Sequence, residues 1–213
     1  MTSLKDIHKG ETGVIVLNGP SLNKIPLDWL NSHRNISSNH IYKLSGFKVQ
    51  TYVLVDTSCL STPVRVAYFA DTLKNSERNI VWEKHLDKAP KGSIGLSRGG
   101  KDEFHPDVLT SGCGNYASTA WVCVQLAYLM GFDPVLFVGF DCDFDKPEGY
   151  HFYRDEPHDF THHPPVQHHE WADKLIRHMM LARDAFEKDG RRIINCTEGS
   201  GCKMFEFGDY RDY

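Results

Sequence analysis

The stretch Gly13-Val14-Ile15-Val16-Leu17-Asn18-Gly19-Pro20-Ser21-Leu22 constrains the fold most. Its apolar run does not alternate, which marks a strand buried on both faces, and Asn-Gly-Pro-Ser ends that strand in a tight turn. Asn18 and Gly19 tolerate positive φ, Pro20 fixes the exit direction, and Ser21 can cap the next segment. A small-residue turn at the C-terminal end of a first parallel strand is where open α/β sheets place a ligand, because backbone N–H groups there can approach a phosphate closely. Taken alone, an ordinary strand-to-helix turn reads the same way.

The pattern recurs along the chain. Residues 34–39 read as a strand ending at Ser38-Asn39, residues 51–55 as one closed by Asp56-Thr57-Ser58, and residues 79–82 as a short one. The run 134–138 ends in Gly139-Phe140-Asp141, and 192–196 leads into Thr197-Glu198-Gly199. Between them, residues 27–31 and 62–73 can form helices. Residues 115–130 predict a long helix with a wide apolar surface (Ala117, Ala120, Trp121, Val124, Leu126, Ala127, Tyr128), introduced by Thr110-Ser111-Gly112 and stopped by Gly131. Residues 170–188 predict an amphipathic helix with Leu175, Ile176, Met179, Met180, Ala182 and Phe186 on its apolar side. Residues 85–106 and 142–168 read as loop excursions, 1–11 as a polar lead-in, and the tail to Tyr213 as loosely docked. Strand, long helix and strand, each apolar on both faces, predict an α/β fold. Its sheet is mostly parallel, with helices on both faces, and one domain spans 1–213.

At 213 residues the chain can bury a substantial core without staples. A formal charge of −4 gives no general attraction to nucleic acid or to an anionic membrane, so an anionic ligand has to be held by local donors. Six cysteines without a C-x-x-C pair, and a polar N-terminus without an apolar h-region, predict a reduced, cytoplasmic protein. Seven of the twelve histidines fall between His151 and His178, the one compositional anomaly. His162-His163 and His168-His169 lack the i, i+4 spacing of a helical zinc site; substrate contacts or an adventitious metal are as plausible as a native ion. No P-loop exists, and Ser111 lacks the G-x-S-x-G context of a nucleophilic serine.

In a parallel sheet the polar strand ends converge on one rim. Asn18, Gly19, Pro20, Ser21, Asn39, Asp56 and Asp141 are therefore the candidate ligand residues. The helix introduced by Thr110, Ser111 and Gly112 would point its N-terminus at them. Asn side chains there can read a base or ribose, while Ser, Thr and backbone N–H groups hold phosphate.

Asn18-Gly19-Pro20-Ser21-Leu22, Ser38-Asn39, Thr110-Ser111-Gly112 and Gly139-Phe140-Asp141 together resemble the bacterial sialyltransferases of glycosyltransferase family 42. They equally resemble the broader DUF115 group, which includes Maf-type flagellin-modifying glycosyltransferases and hydroxymethylpterin diphosphokinase-like proteins. The ending Asn195-Cys196-Thr197-Glu198-Gly199-Ser200 is closer to DUF115. The resemblance spans residues 14–201 as spaced short motifs. It implies a Rossmann-like sheet binding a nucleotide-linked donor, CMP-sialic acid in the sialyltransferases. Asn18, Gly19, Ser21 and Asn39 would line the nucleotide, and Thr110, Ser111 and Gly112 the phosphate or donor sugar. A histidine preceding the last long helix would be the general base; His168 and His169 fall there, with His169 immediately before the helix. Two tyrosines steady the leaving phosphate in that family without metal. Tyr150 matches the second, but the first falls near Asp143. Asp143 with Asp141 and Asp145 can assist a departing phosphate only through Mg²⁺ or Mn²⁺, and a solvated loop fits this acidic run as well.

The expectation is a sugar-nucleotide-dependent glycosyltransferase acting on a glycan or glycolipid acceptor, with peripheral membrane association possible and no nucleic-acid partner. The alternatives are a pterin-type diphosphokinase using ATP and Mg²⁺, and a non-catalytic nucleotide-binding protein.

Overall fold

The computed structural model describes residues 4–56, 59–60, 62–99, 102–114, 118–143, 151–153 and 165–213, with the side chains of 165–171 outside the description. Its strands are β1 (Gly13–Val16), β2 (Arg34–Ser38), β3 (Thr51–Leu54), β4 (Arg78–Trp82), β5 (Ile94–Leu96), β6 (Val135–Val138), β7 (Ile193–Asn195) and β8 (Glu206–Phe207). The helices are α1 (Leu27–Ser32), α2 (Pro63–Asn75), α3 (Val108–Ser111), α4 (Thr119–Met130) and α5 (Pro165–Lys188). Among the described residues the strands form one sheet in the order β5-β4-β3-β2-β1-β6-β7-β8, and every neighbouring pair is parallel. This is the expected Rossmann-like α/β architecture.

The two-residue period of a strand divides the apolar runs between two cores. Ile15, Val53, Ile80, Val135 and Phe137 face α4 and α5. Val14, Val16, Tyr52, Leu54, Leu136 and Val138 face the side that holds Leu30 of α1 and Phe69 and Leu73 of α2. From β1 the chain winds outward through β2 to β5, then returns through α4 to β6 on the other side of β1. Right-handed crossovers running in opposite directions put their helices on opposite faces, so a crevice opens between the C-terminal ends of β1 and β6.

α4 packs against the sheet along its whole length: all of its residues except Tyr128 are buried. Trp121 alone removes enough area that its truncation would cost about 3–5 kcal/mol. Gly131, in the left-handed conformation at φ 84°, ends the helix.

Several expectations are corrected here. The 85–106 excursion carries β5, and the tail carries β8, so both edges of the sheet come from segments read as irregular. Both strands are three residues or shorter, too short to show a period. α5 starts at Pro165, so His168 and His169 lie inside its first turns, not ahead of it. On α5 the buried stripe is Leu175, His178, Met179, Ala182 and Phe186, whereas Ile176 and Met180 are 37% and 40% exposed. A 3.6-residue period keeps positions 175, 178/179, 182 and 186 on one line and turns 176 and 180 outward. No helix among the described residues is long and apolar enough to cross a membrane.

Candidate functional site

The β1–β6 ladder does not stop where the strands do. Leu17 N donates to Val138 O and Gly19 N to Gly139 O, each at 2.9 Å, so the two turns leave the sheet fastened together. A Cβ on Gly19 would lie 2.0 Å from Asp141 Oδ2, and one on Gly139 (φ 68°) would lie 2.4 Å from Leu17 O. Both turns therefore need glycine. The Asp141 carboxylate fills the space beside Gly19, accepting from Ser21 N at 3.1 Å and from Ser21 Oγ at 2.7 Å.

The Asn195 to Ser200 motif braces this arrangement from below. Thr197 Oγ1 accepts from Phe140 N at 2.9 Å, and Ser200 Oγ donates to Phe140 O at 2.6 Å. Gly201 N donates to Asp141 O at 2.7 Å. Asn195 holds the loop in shape, its Oδ1 accepting from Thr197 N at 3.1 Å and its Nδ2 donating to Cys202 O at 3.2 Å.

The neighbouring turn after β2 is built differently. Asn39 sits at φ 51°, a left-handed conformation that Asn tolerates better than most residues. The Tyr52 hydroxyl donates to Asn39 O at 2.5 Å, and Asn39 Nδ2 donates to Thr119 Oγ1 at 3.4 Å. Asn18 Nδ2 donates to Ser38 O at 3.1 Å, which joins the β1 and β2 turns. Ser118 caps α4, its Oγ accepting from Ala120 N at 3.2 Å. These groups enclose a hollow of about 190 Å³ at the C-terminal rim, lined by Asn18, Gly19, Ser38, Asn39, residues 118–120, residues 139–143, His151 and Leu175. Asn18 Oδ1 and Asn39 Oδ1 are shielded from solvent and meet no donor among the described residues. Such acceptors are costly to leave without one, about 1–3 kcal/mol each.

Asn18, Gly19, Asn39, Asp141 and Asp143 line this one hollow. Ser21 stands directly behind Asp141 and also borders a larger hollow of about 700 Å³ toward β7 and β8. Pro20 opens the short 3-10 turn after β1. Asp56 follows β3 on the same rim but does not line the hollow. The helix introduced by Thr110-Ser111-Gly112 is a correction. Thr110 and Ser111 belong to the separate α3, capped by Asp107, and Gly112 ends it. Thr110 borders a different hollow with Leu73, Ser76, Arg78 and Asn79, at the end of the sheet where β4 begins. Ser118, immediately before Thr119 opens α4, takes the capping role instead; a Ser directly ahead of the apolar run is a signal the chain does print. Residues 115–117 and Tyr150 lie outside the described residues, as do the side chains of His168 and His169.

Two features were not anticipated. His151 reaches the hollow from the long polar loop. Farther along α5, His178 is completely buried, stacked on Trp121 at 4.4 Å, with its Nε2 2.6 Å from Asp102 Oδ1. Burial pushes its pKa below 6.5, and the Asp102 carboxylate only partly opposes this. No group of three or more potential metal ligands is assembled among the described residues. Comparisons of the chain with protein-family models, curated proteins and solved structures gave no match.

Proposed function

We propose that the chain is a glycosyltransferase of the sialyltransferase-like kind, taking a nucleotide-activated sugar, CMP-linked, in the hollow between the β1, β2 and β6 turns. The observation that carries this reading is the pair of shielded acceptors, Asn18 Oδ1 and Asn39 Oδ1, facing no donor among the described residues beside the N-terminus of α4. Ribose hydroxyls or an exocyclic base amine supply such donors. A phosphate suits the partial positive charge and N–H groups of the first turn of α4. The acceptor on this reading is a glycan or glycolipid, in the cytoplasm and at the inner face of the membrane.

A diphosphokinase would need Asp141 to hold Mg²⁺, with ATP in the same crevice. Both Asp141 oxygens already accept from Ser21, and this favours the sugar-nucleotide reading. A thermal-shift series with CMP, UDP, GDP and ATP, each with and without Mg²⁺, tests the choice. CMP at a hundred times its Kd is expected to stabilise by about 2.7 kcal/mol without metal, roughly 5–10 °C for a domain of this size. A shift seen only with ATP and Mg²⁺ would replace this reading by the kinase. No shift with any of the four would remove the nucleotide altogether.

A further inference from the structure

We propose that the hollow of about 880 Å³ where β4 begins, at the rim opposite the β1–β6 crevice, binds a phosphate monoester of a sugar. The hollow forms because β5 joins β4 late. The ladder between them starts at Ile80 and Ile94, so Arg78 and Asn79 have no β5 residue beside them. The end of α2, the turn before β5 and Thr110 of α3 border the space instead. Asn18, Asn39 and the other groups of the nucleotide-sugar reading lie at the far rim, so the two sites are separate.

Two ammonium groups on this hollow, Lys74 and Lys91, have no carboxylate partner among the described residues. Lys74 lies in the last turn of α2, where the terminal carbonyls are already covered. Ser76 N and Ser76 Oγ donate to Thr72 O at 2.9 and 2.6 Å, and Asn79 Nδ2 donates to Leu73 O at 2.8 Å. Lys91 stands at the corner of the turn 90–93, closed by Ser93 N donating to Pro90 O at 3.0 Å, with Gly92 at φ 96°. The carboxylates on the same wall are engaged. Asp107 accepts from Thr110 N at 3.2 Å and from Thr110 Oγ1 at 2.8 Å. Glu77 lies 3.3 Å from Arg78 Nη1 and 3.8 Å from Arg34 Nη1. Two unmatched cations suit a phosphate monoester, which is close to a dianion at neutral pH, better than a singly charged diester or carboxylate.

The uncharged groups decide what carries the phosphate. Ser76 Oγ gives its proton to Thr72 O, Ser93 Oγ gives its own to Pro90 O at 2.7 Å, and Thr110 Oγ1 gives its own to Asp107 Oδ2. Each hydroxyl is left as an acceptor. Asn79, which is 7% exposed, lines the same hollow. Its Nδ2 is spent on Leu73 O, while its Oδ1 is shielded from solvent and meets no donor among the described residues. Such an acceptor is costly to leave unmet. Acceptor oxygens from Ser76, Ser93, Thr110 and Asn79 therefore share the wall with the two lysines. Inorganic phosphate answers the cations alone, and an uncharged sugar answers the acceptors alone. Several donating hydroxyls joined to one phosphate answer both.

The test titrates glucose 6-phosphate, glucose and inorganic phosphate into the full chain by calorimetry at low salt, where charge contacts are least screened. Wild type is expected to bind glucose 6-phosphate about tenfold or more tighter than either of the other two. The double variant Lys74→Gln, Lys91→Gln changes two exposed side chains; it should melt as wild type does and lose about tenfold in affinity for glucose 6-phosphate. Ser93→Ala removes one acceptor and no charge, so it should weaken glucose 6-phosphate several-fold and leave inorganic phosphate unchanged. Asn18→Ala, at the far rim, should bind glucose 6-phosphate as wild type does. No binding of glucose 6-phosphate to wild type at about 10 mM overturns the proposal. So does equal affinity for inorganic phosphate, and so does a double lysine variant that binds as tightly as wild type. Loss of binding in Asn18→Ala would place the sugar phosphate in the β1–β6 hollow and overturn it as well.

Discussion

Asn18 joins two turns with its amide nitrogen, while its amide oxygen has no donor among the described residues. On the nucleotide-sugar reading such an arrangement gives up stability for recognition, because an unmet buried acceptor is a cost in the free protein. Asn18→Ala removes one hydrogen bond and one unmet acceptor together. The expected change in unfolding free energy without ligand is therefore under about 1 kcal/mol. Nucleotide affinity should fall at least tenfold, since a bonded donor on the ligand would lose its partner. Urea denaturation and calorimetry on the same preparation check both halves, and a variant that binds CMP as well as wild type would take Asn18 out of the site. At this scale the position of the turn was legible, but its reason was not. Asn18 and Gly19 mark the turn where it occurs, yet neither takes the positive φ their types permit: Gly19 is extended at φ −70°, and glycine is needed there because the Asp141 carboxylate leaves no room for a Cβ. Thr110 and Ser111 mislead because Ser and Thr cap any helix, short or long, and sequence alone does not say which helix comes next.

α5 reaches the core through its stripe of Leu175, His178, Met179, Ala182 and Phe186. The least apolar of these, His178, ties the helix to the segment before α3 through Asp102, which also accepts from Arg177 at 2.6 Å. Burial opposes the Asp102 charge, but the His178 hydrogen bond and the nearby Lys174 and Arg177 prevail and lower its pKa. The imidazole itself is pushed the other way, chiefly by burial and further by Lys174 and Arg177, to below its ordinary 6.5. In the window from 6.5 down to the folded-state pKa, the unfolded chain binds the proton and the native chain does not. Stability then rises with pH. The contribution of His178 should be complete above pH 6.5 and decline as the pH falls below it. Wild type and His178→Leu, compared by thermal unfolding between pH 5 and 8, should differ in slope only below pH 6.5, with wild type the steeper. Parallel curves would show that His178 is not held neutral. An apolar stripe interrupted by histidine hides its own continuity, which is why Ile176 and Met180, nearer in type to their neighbours, read as core when they face outward.

Over the whole molecule, the hollow depends on residues far apart in the chain that never face it together. Ser21, near the start, holds Asp141; Phe140 and Asp141 are held by Thr197, Ser200 and Gly201 near the end. The topology makes this necessary. β1 and β6 are neighbours only because the chain returns to the middle of the sheet after β5, and β7 then lies outside β6 to support its turn. Convergence of the strand-end clusters on one rim was legible because a parallel sheet has no other way to place them. Which clusters share a hollow, and which merely brace it, depends on strand order. Strand order is written nowhere in the local pattern, and it makes the β7 ending a support and leaves Asp56 outside. Thr197→Val tests the support: it keeps the side-chain shape, removes the acceptor for Phe140 N and leaves that N–H buried. The expected loss is about 1–3 kcal/mol of stability. Because Thr197 does not line the hollow, any loss of CMP affinity must travel through Phe140, Asp141 and Ser21. Faster amide exchange at Gly19 and Ser21 should accompany it, measured by hydrogen–deuterium exchange at a temperature well below the melting point. Unchanged exchange at those two amides, with stability reduced as expected, would mean that the β6 turn holds its shape without the brace and that the two ends of the chain are not coupled through it.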